Sequence, residues 1–294
     1  MRLGTVLIPM FVLCGCEPVE LVTTEAGIIN GEPIATDEYP SAAQLIVQGT
    51  ADMPYTMPIC TATLIAPDVA LSAGHCVDPM LIGLNDMTFC VTFLEDQTWM
   101  GSQADPPLPD DAVCSSGYVQ HPDFDVMAMP PDGLSNYHDV SLVFLETPIV
   151  DRPFAYMPDA DEAGQLFEQM EVDIVGYGMQ DPYDTSMINE RYWAHTFINE
   201  LAEFEMQVGS DASTGRKCHG DSGGPTYVDV ETELVESRRV IGITSRAYAA
   251  MEDCNMGGVD MRVDAFLDWI EEAMIQACDD GLRTECDEPG IPRP

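Results

Sequence analysis

Short apolar runs, either β-branched or alternating with polar residues, recur along the chain from about residue 28, at 43–47, 61–65, 88–93, 140–145, 172–175 and 240–244. Pro, Gly and Asp separate them. Runs of this length fit strands better than helices, and many short strands with turn signals between them predict an all-β barrel or sandwich. Segment 264–277 breaks the pattern: Phe266, Leu267, Ile270, Met274 and Ala277 share one helical face. A C-terminal amphipathic helix is expected there, with Asp264 placed to cap its start. Stretches 95–111 and 123–136 are irregular and read as surface loops. Beyond the helix the chain turns polar and proline-containing, and a pairing of Cys278 with Cys286 would close a small loop.

Composition narrows the function classes. The chain has 294 residues, 46% of them hydrophobic, which is enough to bury a core, and its formal net charge is −40. That charge argues against nonspecific binding of nucleic acid or of anionic lipid headgroups, because both need a basic face. Acidic residues are spread along the chain, and Lys217 is its only lysine.

The N-terminus carries one cation, then an apolar run too short to span a bilayer, and it reads as an export signal over residues 1–15. Its end, Leu13-Cys14-Gly15-Cys16, resembles the bacterial lipobox, which would make Cys16 a lipidated first residue. A lipid on Cys16 would then be the only membrane attachment, in a bacterial envelope. Ordinary secretion with cleavage near Gly15 is the alternative. Residues 16–27 suit a tether, 28–277 a folded domain and 278–294 a tail. Of ten cysteines, the loss of Cys14 and lipidation of Cys16 leave an even number. Disulfides in an oxidising compartment are therefore expected, and a zinc site is not, since no Cys-x-x-Cys appears. No loop has the spacing of a calcium site.

The chemistry concentrates in three places. Gly220-Asp221-Ser222-Gly223-Gly224-Pro225 offers a tight turn that exposes a hydroxyl and aims backbone N–H groups into one spot, a geometry suited to an oxyanion. Serine alone is a weak nucleophile and needs a base held in one tautomer by a third group. His75, in Ser72-Ala73-Gly74-His75-Cys76, follows a strand-like run and sits beside a cysteine. Asp139 opens the apolar run of His138-Asp139-Val140-Ser141-Leu142. The other histidines, His121, His138, His195 and His219, have no motif of their own.

These three motifs, in the order His, Asp, Ser, resemble the chymotrypsin-like serine protease family, over residues 28 to about 277. The order differs from that of the other Ser-His-Asp folds. The resemblance implies two packed six-stranded antiparallel β-barrels with a C-terminal helix, and hydrolysis of peptide bonds through an acyl-enzyme without a cofactor. It makes His75 the general base and then acid, Asp139 its orienting group and Ser222 the nucleophile. The N–H groups of Gly220 and Ser222 form the oxyanion hole. Cys60 pairs with Cys76 and Cys218 with Cys254, which leaves Cys90 for Cys114. The family's usual cysteine pair ahead of the specificity pocket is absent. Ser245 matches the serine that helps orient the aspartate. Partners on this reading are a protein or peptide substrate and a protein inhibitor. The rival reading is a catalytically silent surface lipoprotein of the same fold that binds peptides in its cleft.

Gly27-Ile28-Ile29-Asn30-Gly31 resembles the family's activation junction, at which a freed Ile28 amino group would pair with Asp221. Gly27 precedes the junction, so an activator specific for Arg or Lys is not expected. A cut there would also release the domain from a lipid on Cys16. By the same resemblance Arg216 stands at the base of the primary specificity pocket, beside Lys217, with Gly258 on the pocket wall. Arg246 follows Ser245, where the family usually has an aromatic cleft residue. Cations so placed in an acidic chain would prefer Asp or Glu at P1. If neighbouring acids neutralise them, a small or apolar P1 is expected instead. An acid such as Asp260 facing the pocket would select a basic P1.

Overall fold

Apolar runs joined by short turns pair with their sequence neighbours, and each half of the chain closes its own ring. In the computed structural model the described residues are 28–286 apart from 36, 51–53, 84–86, 101–106, 179–189, 232–236 and 252. The expected signal segment, the tether with Cys16, and the chain from 287 onward lie outside the described residues. A two-residue strand β1 (Glu32–Pro33) comes first. The first barrel follows as β2 (Ala42–Gln48), β3 (Thr56–Ala66), β4 (Val69–Ser72), β5 (Thr88–Thr92), β6 (Val113–Gln120) and β7 (Ser141–Leu145), closed in the order β2-β3-β4-β7-β6-β5. Its interior is filled by Leu45, Leu64, Leu71, Phe89, Leu142 and other side chains of the same kind, all fully buried.

The second barrel uses β8 (Glu171–Gly176), β9 (Tyr192–Leu201), β10 (Glu205–Val208), β11 (Pro225–Asp229), β12 (Arg238–Ala247) and β13 (Gly258–Arg262). Pairing of β8 with both β9 and β11 closes this ring, and β1 adds to the outside of β9. Ile174, Ile198, Met206 and Ile241 fill its centre together with Ile28. Every paired strand is antiparallel. The two barrels, the helix and the disulfides match the fold expected from sequence. Four disulfides are formed, Cys60–Cys76, Cys90–Cys114, Cys218–Cys254 and Cys278–Cys286. Cys90 and Cys114 face each other across β5 and β6.

The C-terminal helix spans Leu267–Asp279 and buries Ile270, Met274 and Ala277. Burial of the two larger side chains contributes about 1.5–3 kcal/mol each. The expected Asp264 cap is not made. A 3₁₀ turn, Val263–Phe266, tightens the entry and shifts the cap position to Phe266, which offers no side-chain bond. Asp264 instead accepts from Arg262 Nη2 at 2.6 Å. The segment after the helix also departs from a detached polar tail. Arg283 folds back and donates to Asp68 at 2.8 Å, and the N–H groups of Thr284 and Glu285 reach the other oxygen of the same carboxylate at 3.0 Å. Asp68 lies in the turn between β3 and β4, so this segment belongs to the packing of the first barrel.

Candidate active site

His75 follows β4 in a short 3₁₀ turn, Gly74–Val77, and Cys76 within that turn is tied to Cys60 on β3. Gly74 is closely packed: a Cβ there would sit 3.1 Å from both Asp139 Oδ1 and the Phe124 ring. Asp139 lies two residues before β7 and is fully buried. Its Oδ1 accepts the His75 backbone N–H at 2.7 Å, and its Oδ2 faces His75 Nδ1 at 2.7 Å. Ser245, on β12 of the other barrel, donates its hydroxyl to the same Oδ2 at 2.6 Å.

The electrostatics follow from these contacts. Burial alone would raise the pKa of Asp139, but the neighbouring His75 charge and the hydrogen bonds from His75 and Ser245 outweigh it and hold the carboxyl below its usual value. Burial alone would depress His75. The charges of Asp139 and Asp78 and the Asp139 hydrogen bond reverse that, so its pKa lies above the ordinary imidazole value. The carboxylate thus fixes which ring nitrogen carries the proton, leaving Nε2 as the basic atom.

Ser222 stands on the loop between β10 and β11. Gly223 has φ +78°, and a Cβ there would run into Ser72 Oγ and Thr61 O, so the loop packs directly on the first barrel. Thr61, on β3, grips that loop: its N–H donates to Ser222 O at 2.8 Å and its hydroxyl to Gly220 O at 3.0 Å. Sequence reading treated Thr61 only as a strand residue. Among the described residues, the N–H groups of Gly220 and Ser222 donate to no protein acceptor. No hydrogen bond joins Ser222 to His75 either, although both line a single cavity of 310 Å³.

Asp221 is buried. Its Oδ2 accepts from Cys218 N at 2.7 Å and its Oδ1 from Gly178 N at 2.8 Å. Desolvation pushes its pKa up to about 7, against those two bonds and the Lys217 charge. Ile28 is fully buried in the second barrel, and Ile29 exchanges backbone bonds with Arg216 at 2.9 and 3.0 Å.

The expected pocket cations separate into different roles. Lys217, Ser245, Arg246 and Gly258 line the cavity, together with Cys218 and Cys254; Arg216 does not. The Lys217 ammonium is buried and donates to Asp260 Oδ2 and Thr226 Oγ1, each at 2.7 Å. Arg246 makes a two-pronged pair with the buried carboxylate of Glu205, at 2.8 and 2.9 Å. Arg216 is 4% exposed, with Nε and Nη1 unpartnered among the described residues. Asp260 is occupied by Lys217, so it does not offer the cavity an unpaired carboxylate. Of the remaining histidines, His219 lines the cavity, His121 and His138 stack beneath the C-terminal helix, and His195 pairs with Asp173 on the second barrel.

Comparison with known proteins agrees with the fold. A family profile described as Trypsin matches residues 28–270. The chain is 24% identical over 285 residues to chymotrypsin-like elastase family member 1 of Homo sapiens, covering 90% of this chain and 99% of that one. It is 24% identical to a vitellin-degrading protease of Bombyx mori, covering 83% and 84% of the two chains. A phenoloxidase-activating enzyme of Bombyx mori is 23% identical, and there the match spans 84% of this chain but only 60% of the relative.

Proposed function

The chain belongs to the trypsin family and is a serine endopeptidase, and we propose that it works through His75, Asp139 and Ser222. The observation that carries this reading is the buried carboxylate of Asp139, which holds His75 by two contacts of 2.7 Å while Ser245 holds the carboxylate in turn. In the proposed cycle Ser222 Oγ attacks the scissile carbonyl as His75 Nε2 takes its proton. The unspent N–H groups of Gly220 and Ser222 receive the oxyanion. His75 then gives the proton to the leaving amine, and water repeats the sequence on the acyl-enzyme.

The P1 residue is proposed to be small or apolar. Lys217 and Arg246 are each neutralised by a buried acid, and Arg216 is set back from the cavity, so the electrostatic support for an acidic P1 is weak. Activation by a cut before Ile28 is proposed as well. In the uncut chain Ile28 carries no free amino group and the buried Asp221 has its pKa raised, so an ammonium at Ile28 would relieve it. With Cys16 lipidated, the same cut would release the domain into the medium.

The missing Ser222 to His75 bond favours a second reading, a silent peptide-binding relative, although such bonds are often long before substrate binds. One experiment separates the two. Protein beginning at Ile28 is given a mixed peptide library, with Ser222→Ala as the control and product ends read by mass spectrometry. Cuts after Ala, Val or Leu that vanish in the control are expected. Cuts after Asp or Glu would overturn the P1 proposal, and no cuts by correctly folded protein would favour the silent relative.

A further inference from the structure

We propose that the loop 129–135 blocks the substrate-binding edge of β12 from its far end, so that the enzyme pairs with no more than about three residues on the acyl side of the scissile bond. Glu205 is the positioning residue that holds the loop there. This deepens the endopeptidase reading and rests on it.

The edge of β12 is occupied at both ends and open between them. On one side β12 pairs with β13 through Ala247. On the other, β11 covers it as far as Ile243, and Thr244 exchanges bonds with Gly223 and Gly224 in the nucleophile loop, at 2.8 and 3.0 Å. Beyond Ala247 the partner changes to the loop from the first barrel. Gly133 N donates to Tyr248 O at 2.8 Å, Ala250 N donates to Pro131 O at 3.0 Å, and Asp132 faces Ala249 in an antiparallel bridge. Between these two seals, residues 245–247 have no strand partner on the cleft side among the described residues. An extended peptide rises about 3.3 Å per residue, so the gap takes about three residues.

Direction decides what the loop excludes. A peptide laid antiparallel on this gap runs toward Ser222, with its acyl-side residues against 247, 246 and 245 in turn. The loop lies on the same edge and runs the same way. A fourth acyl-side residue would need the place that Gly133 holds, and the peptide must leave the edge there.

The loop is held by charge. Glu205 on β10 is fully buried, and its carboxylate accepts both prongs of Arg246 and the backbone N–H of Ser135 at 2.5 Å. Arg246 Nη2 also donates to Gly133 O at 2.9 Å. Two strands of the second barrel thereby fasten a segment of the first across the cleft. Arg246, expected from sequence to meet the substrate, spends its guanidinium on this clasp.

The test uses acetylated alanine p-nitroanilides of one to six residues with protein beginning at Ile28. The corresponding peptide amides are titrated calorimetrically into Ser222→Ala. Both kcat/KM and affinity are expected to rise up to three residues and then to change by less than about twofold up to six. In Glu205→Gln the gain should continue past three residues, with the five-residue substrate about fivefold better than the three. Ser135→Pro, which removes the donated N–H but leaves the ion pair, should act in the same direction and covers the case in which Glu205→Gln fails to fold. A gain past three residues in the unaltered protein overturns the proposal, and an unmoved plateau in both variants overturns the role of Glu205. If nothing is hydrolysed but affinity still levels off at three, the endopeptidase reading fails while the loop proposal stands.

Discussion

Thr61 carries no motif, yet its backbone and hydroxyl hold the carbonyls of Ser222 and Gly220. A single residue of the first barrel thus sets where Ser222, the proposed nucleophile, stands in the second. At this scale two titrations can be read. In the proposed cycle His75 acts as a base only when neutral, and its pKa is raised because the Asp139 and Asp78 charges overcome its burial. The acid limb of kcat/KM against pH should therefore have its midpoint above about 6.5, the value for a free imidazole. A midpoint below that value would contradict the Asp139 contact. Asp221 titrates the other way from most buried acids in ion pairs. Its folded-state pKa is raised to about 7 by desolvation, so its contribution to stability is fully present below the unfolded carboxyl value and is lost as pH rises through 7. The loss is on the order of 4 kcal/mol for the uncut chain across the whole interval, of which about 3 kcal/mol falls above pH 5. Protein beginning at Ile28 should lose much less over the same range, as followed by urea unfolding at pH 5 and pH 8; equal losses would argue against the Ile28 to Asp221 pairing.

Elements act here through what they fasten. The segment after the C-terminal helix is closed by Cys278–Cys286 and anchored where Arg283 meets the buried Asp68. Removing one partner of a buried pair leaves an uncompensated charge, so Arg283→Met should destabilise the protein by about 3–5 kcal/mol. Denaturant unfolding measures this, and a change below about 1 kcal/mol would mean that the segment is not part of the barrel's cooperative unit. The helix itself was legible from its apolar face, because period 3.6 survives whatever it packs on. Its cap was not, because the choice between a side-chain cap and a 3₁₀ entry depends on Arg262 drawing Asp264 away.

Across the whole molecule the charges are sorted by depth. The nine described Arg and Lys residues are all buried or half-buried, most of them tied to acids or to backbone carbonyls. A chain of formal net charge −40 therefore presents no exposed cation among its described residues. Surface acids repel one another with few cations nearby to offset them, and salt should relieve that repulsion as the screening length falls from about 30 Å at 0.01 M to about 3 Å at 1 M. The melting temperature should rise by several degrees over that range in sodium chloride. A flat or falling trend would show that the buried ion pairs, not surface repulsion, dominate the salt response.

By itself the sequence carried an all-β pattern, the C-terminal helix and the three motifs around His75, Asp139 and Ser222. These are written locally, in alternation and in a tight glycine turn, whereas the two-barrel architecture and the disulfide partners followed only from the family that those motifs resemble. Several strands escaped notice, β6, β9 and β13 among them, because polar residues such as Ser115, His195 and Asp260 interrupt their alternation and pairing alone defines them. Tertiary structure decided what the cations do. Arg216, Lys217 and Arg246 form one group in the sequence. Their separation into a set-back guanidinium, a buried ammonium on Asp260 and a clasp on Glu205 depends on acids more than forty positions distant in the chain from Lys217 and Arg246. Charge in a protein interior is governed by the nearest counter-charge, and which counter-charge is nearest is settled only when the strands have paired.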